Sequence, residues 1–136
     1  MPRVIYKSFW HTLLVDNKGK FKVGKASDYS NSKGWFFGHF ADEELLKSDL
    51  VEIAWQNISN NKASPEDKHL HKASVEINII LSGEVRVTIN EEKFTLHKGE
   101  FYVVWPETII KDVEASENTE LIVLRAPSLD DKIKLS

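Results

Sequence analysis

Short runs of alternating apolar and polar residues dominate this chain and predict β-structure along most of it. Residues 4–15 read as extended, followed by a turn at "DNKGK" and a second strand at 21–23. The polar stretch "KASDYSNSKG" is a loop, and "GWFFGHF" at 34–40 is a buried strand or tight packing segment. Acids at the start of "DEELLK" suit the positive end of a helix dipole, so Asp42 is expected to cap one brief helix that runs to about Lys47. From Val51 onward the pattern is β. Val51, Ile53 and Trp55 alternate with Glu52, Ala54 and Gln56, and a loop follows at 57–68. Further strands are expected at 70–72, 75–81, 85–89, 93–96, 101–105, 109–113 and 121–126, separated by Gly83, "NEE", Gly99, Pro106 and "ASENT". Strands this short and this close predict an antiparallel sandwich or barrel. The tail "SLDDKIKLS" is expected to be exposed or to lie along a neighbouring surface.

Within "EINIIL", placing Glu76, Asn78 and Ile80 inward turns Ile77, Ile79 and Leu81 outward. A row of three large aliphatics needs a cover, which the N-terminal strands or a second subunit could provide; a two-fold homodimer is the economical solution.

The chain has 136 residues and no interior Gly, Pro or Ser run suggesting a linker, so a single domain spanning 1–136 is expected. It contains no cysteine, which excludes disulfides, zinc fingers and thiol nucleophiles and fits a reducing compartment. Neither a signal peptide nor an apolar span opens the sequence, so the cytoplasm is the expected location and no membrane partner is expected. With a formal charge of −3 and acids and bases mixed throughout, there is no basic face to grip nucleic acid. Lys18, Lys20, Lys22 and Lys25 form one local exception, read as a solvated strand edge.

The chemistry concentrates in "HLHKASVEINIILSG". Positions i and i+2 of a strand share a face, so the rings of His69 and His71 can converge, and an antiparallel return through "KASV" would bring Glu76 beside them. Two imidazoles and one carboxylate make a facial ligand set that leaves positions open for substrate or water. The alternative is a hydrogen-bonded polar cluster in which a histidine shares a proton with Glu76.

This segment resembles the first motif of the cupin superfamily: His69-x-His71, four residues, Glu76, six residues, Gly83. The resemblance extends over about 51–126 and implies an all-β fold, a double-stranded β-helix barrel of jelly-roll type, here with N-terminal strands and one short helix. It also implies a divalent metal ion (Mn, Fe, Ni or Zn) on His69, His71 and Glu76, and many small members are dimers. The family's second motif is eroded. Counting from Gly99 puts Ile110 where the last histidine ligand belongs, and anchoring on Pro106 puts Lys111 there. Isoleucine offers no lone pair and an ammonium is only a donor, so at most three protein ligands remain.

Gln56, Asn78, Trp105 and Lys111 are the expected pocket residues, although a lysine beside Asp112 after a turn is more often solvated. His39 between aromatics reads as a core histidine, and His97 reads as exposed. Three functions are compatible with these features: a metal-dependent enzyme acting on a small polar molecule, a metal-free sugar-nucleotide epimerase or isomerase with a histidine base, and a non-catalytic small-ligand binding module.

Overall fold

The computed structural model describes residues 17–58 and 68–135; the strand expected at 4–15 lies outside them. Among the described residues are ten strands: β1 (Trp35–Phe37), β2 (Glu52–Ile58), β3 (His69–His71), β4 (Val75–Ser82), β5 (Glu84–Ile89), β6 (Glu92–His97), β7 (Phe101–Val104), β8 (Ile110–Ala115), β9 (Thr119–Ala126) and β10 (Lys132–Lys134). They form two five-stranded antiparallel sheets, ordered β1-β2-β9-β4-β7 and β10-β3-β8-β5-β6. This is the expected all-β barrel.

The period-two pattern determines which side chains enter it. On β4, Glu76, Asn78 and Ile80 are buried while Ile77 and Ile79 between them are partly exposed, as the alternation requires. On β9, Thr119, Leu121 and Val123 point the same way. The apolar interior has two parts. Ala54, Leu121 and Val123 pack with Trp35 and Ile58, and Val87, Val104 and Ile110 pack with Leu96, Tyr102 and Val113. Between them the lining turns polar, because Glu52, His69, His71, Glu76 and Asn78 are all buried.

Gly83 makes the turn from β4 to β5 with φ of +80°, and a Cβ there would lie 2.7 Å from Thr119 Cα. Both the backbone region and the close approach exclude a side chain. One position of the sequence motif is therefore structural.

Three expectations are corrected. "DEELLK" forms only a 3-10 turn at Glu44–Leu46, entered from Glu43 without a side-chain cap, so Asp42 does not cap it. The loop stretch contains a longer 3-10 segment, Ala26–Ser32. Residues 21–23 form no strand; Phe21 and Val23 are exposed and reach no core, although the turn before them is present, closed by Lys20 N–H to Asn17 C=O. Among the described residues no helix is long and apolar enough to cross a membrane.

The tail forms β10, which pairs with β3 in the register Lys132↔His71, Ile133↔Leu70 and Lys134↔His69. The last described residues thus lie against the histidine strand.

Candidate functional site

Register alone assembles the site's anionic and cationic groups. Arg125 on β9 stands opposite Glu52 of β2 on one side and Glu76 of β4 on the other. The three form a cross-strand Glu–Arg–Glu row on the inner face of one sheet. Arg125 Nε donates to Glu76 Oε1 at 2.6 Å, and Nη1 donates to Glu52 Oε2 at 3.2 Å. Its guanidinium lies 4.6 Å from the centre of the Trp35 ring. Burying two carboxylates is costly unless a fixed cation and further donors compensate them. Here Asn78 Nδ2 donates to Glu76 Oε2 at 3.0 Å, and Ser128 Oγ donates to Glu52 Oε1 at 2.8 Å.

The histidines come from the opposite sheet. His69 and His71 lie on one face of β3, both buried, with ring centroids 5.5 Å apart and planes nearly perpendicular. Glu76 does not reach them through a β3–β4 hairpin, because "KASV" crosses between the sheets and β3 pairs with β8 and β10. The contact is made across the barrel, where His71 Nε2 stands 3.4 Å from Glu76 Oε1. That separation suits an ion pair without hydrogen-bond geometry, and Nε2 is buried with no hydrogen-bond partner among the described residues. The other ring nitrogen, Nδ1, lies 3.0 Å from Asp131 Oδ1. Asp131 Oδ2 accepts the backbone N–H groups of Ala73 and Ser74, at 2.7 and 2.8 Å, so the tail clamps both the ring and the crossing segment.

These contacts set the charge states. Burial opposes the His71 cation, but the Glu76 and Asp131 carboxylates on its two sides outweigh burial and the repulsion of Arg125, and its pKa lies above the usual imidazole value. Burial likewise opposes ionised Glu76, yet His71, Arg125 and Asn78 together bring it down to about 2. Asp131 is also brought to about 2, by the N–H of Ala73, His71 and the N–H of Ser74 acting against burial. The site therefore holds ionised carboxylates at neutral pH.

A cavity of about 360 Å³ opens beside this network. Glu76, Asn78, Gln56, Tyr102 and Arg125 line it, with Trp35, Lys33 and Lys132 near them and Val85, Leu121 and Val123 among the apolar wall. Gln56 is held by its Nε2 donating to Lys33 C=O at 3.1 Å. Two expected pocket residues, Gln56 and Asn78, thus line it.

The other two do not. Trp105 follows the end of β7 and is 68% exposed, and Lys111 turns to Glu91, with Nζ 3.1 Å from Oε2. Neither is among the lining residues. His39, read as a core residue, is half-buried, and its Nδ1 lies 2.6 Å from Ser128 Oγ.

Of the expected ligand set, His71 and Glu76 meet and His69 stands beside His71. Glu76 has both oxygens engaged, one by a guanidinium, and among the described residues no group of three or more His, Cys, Asp or Glu side chains is arranged to hold a metal ion. As placed, the donors do not fit an ion, because a fixed cation already occupies the carboxylate edge that would face it.

Glu52, Arg125, Ser128 and Asp131 were not foreseen from sequence. Only the alternation of Glu52 with Ile53 and of Arg125 with Leu124 carried a signal, since it puts both charges on the inner face.

Comparison with known proteins agrees with this architecture. The Cupin domain family matches residues 56–123, half of the chain. A search of curated proteins finds no match. Among solved structures, KdgF from Halomonas sp. is similar with a TM-score of 0.54 at 20% identity, over 61% of this chain and 74% of that one. A Streptomyces protein, Pac13, solved with uridine, is similar with a TM-score of 0.55 at 15% identity, over 65% of this chain and 71% of that one. A Klebsiella pneumoniae protein with a double-stranded β-helix domain covers 86% of this chain and 99% of its own, with a TM-score of 0.59 at 12% identity. With the family matched over half its length and ten antiparallel strands in two facing sheets, the chain belongs to the cupin family.

Proposed function

We propose that this cupin binds a small, polar, anionic molecule in its barrel cavity without a metal ion, with Arg125 as the anchor. The observation that carries the reading is Arg125 itself: a guanidinium fixed by Glu52 and Glu76 on the wall of a cavity of about 360 Å³. The two carboxylates take Nε and Nη1, so the Nη2 edge is the donor a ligand would meet. Lys33 and Lys132 also line the cavity, where Glu76 is the one carboxylate among the described lining residues. Gln56, Asn78 and Tyr102 supply polar contacts, and the volume suits a monosaccharide acid or a nucleoside-sized molecule.

Recognition is better supported than acid–base catalysis. A general base must come within hydrogen-bond reach of the proton it removes. His71 is buried away from the cavity lining, and Glu76, held near pKa 2 with both oxygens engaged, is a weak base.

The test is calorimetric titration with an anionic and a neutral ligand of one shape, galacturonate against galactose. Uridine is added because the similar Streptomyces protein was solved with it. Tighter binding of the anion, lost in both Arg125→Met and Asn78→Leu, supports the proposal. Equal affinity for the two sugars, or binding indifferent to both substitutions, refutes it.

A divalent ion is the second reading, and one observation favours it. Among the described residues His71 Nε2 is buried without a hydrogen bond and faces Glu76, while Asp131 on Nδ1 is the kind of carboxylate that orients a metal-bound histidine. It requires Arg125 to release Glu76.

A two-fold dimer belongs to the same proposal. Ile77 and Ile79 stand in register with Val103 and Phe101, and these partly exposed side chains extend the outward apolar row across a second strand. Light scattering that gives twice the chain mass supports it, and a monomer at micromolar concentration refutes it.

A further inference from the structure

A second cavity, of about 190 Å³, is also bounded by Trp35 and lies between the Ala26–Ser32 segment and the turn at Glu44–Leu46. Among the described residues its wall contains four aromatic rings, Tyr29, Trp35, Phe36 and Phe40, together with the acids Asp42 and Glu43. The rings are mutually inclined. Tyr29 and Phe36 are 6.2 Å apart at 48°, and Trp35 and Phe40 are 6.1 Å apart at 77°.

Four inclined rings alone would describe an apolar packing defect. The acids change the picture, because ring faces and carboxylates both attract cations while neither favours an anion. Glu43 already takes one cation, Lys22 Nζ at 3.0 Å, and both side chains are substantially exposed. Asp42 forms no ion pair among the described residues. Trp35 also takes a cation elsewhere, since the Arg125 guanidinium lies over its ring. The indole is thus a wall shared by two cavities, and its π-system faces positive charge in one of them.

We propose that this aromatic pocket is a binding site for an alkylated ammonium group, such as a quaternary ammonium head, with Tyr29, Trp35, Phe36 and Phe40 as the cage and Asp42 as the counter-charge. The volume accommodates a trimethylammonium head but not the larger molecule proposed for the barrel cavity. The rings provide dispersion contact and the negative faces that a soft, weakly hydrated cation prefers, and the carboxylate excludes anions from the mouth.

The experiment is calorimetric or ligand-observed NMR titration of the full chain with choline and with 3,3-dimethyl-1-butanol, its neutral isostere. Choline should bind about tenfold more tightly than the alcohol. Phe40→Ala, which alters a ring that is 40% exposed, and Asp42→Asn, an exposed position that leaves the rings intact, should each weaken choline severalfold. Asn78→Leu, in the barrel cavity, should leave choline binding unchanged, so this site and the barrel site fail or succeed separately. Equal affinity for choline and its isostere, no saturable choline binding, or choline binding indifferent to both Phe40→Ala and Asp42→Asn would each overturn the proposal.

Discussion

Arg125 Nε lies 2.6 Å from Glu76 Oε1, and the two residues face each other in register on adjacent strands. The carboxylate of the cupin motif is therefore neutralised by an arginine of its own sheet.

Removing the cation should be expensive. Arg125→Met would leave Glu52 and Glu76 buried and uncompensated, and breaking a buried pair in this way costs about 3–5 kcal/mol. Urea denaturation should show that loss, with part of it recovered in the triple variant that also carries Glu52→Gln and Glu76→Gln. A loss below about 1 kcal/mol, near the median for surface ion pairs, would mean that the row is solvated in practice.

Stability should fall on both sides of a plateau. Glu76 and Asp131 are held near 2, against ordinary values of 4.5 and 3.8, so their contribution is complete above the ordinary values and is lost as pH falls from about 4.5 toward 2. His71 is raised, so its contribution is complete below the ordinary 6.5 and is lost as pH rises through the shifted value. Unfolding free energy measured against pH should show both limbs. Asp131→Asn should shallow the acid limb and, by removing one of the two carboxylates beside His71, shift the alkaline limb to lower pH. An unchanged profile in that variant would contradict the assignment.

Gly83→Ala should destabilise the protein by more than about 2 kcal/mol, through a left-handed backbone and the approach to Thr119 together. Thermal unfolding checks this. A neutral substitution would mean that the β4–β5 turn has room the geometry denies.

Trp105→Ala and Lys111→Ala should leave ligand binding in the barrel unchanged, because both side chains turn away from the cavity lining. A tenfold loss in either would restore it to the pocket.

The sequence made the barrel legible because alternation is a local signal. Every strand from β2 to β9 falls within two residues of its predicted limits, and the period of two alone puts Glu76, Asn78 and Ile80 on one face, which the structure buries. The histidine pair was equally local. Pairing between distant strands was not readable. Nothing near Arg125 announces that it will stand between Glu52 and Glu76, which precede it by 73 and 49 positions. Asp131 lies in a tail expected to be exposed or to lie along a neighbouring surface, and one short pairing, β10 with β3, decides between them. Anchoring the eroded second motif on Pro106 puts Lys111 where the last histidine ligand belongs, but Lys111 pairs with Glu91, and the side chain that bonds Glu76 is Arg125 on the next strand.

The central claim is that Arg125, and not a metal ion, holds the charge of Glu76. Elemental analysis of untagged protein from cells replete in manganese, iron, nickel and zinc tests it most directly. Far less than one ion per chain is the predicted result, unchanged in His71→Ala. One equivalent of a single divalent ion, lost in His71→Ala, would contradict it.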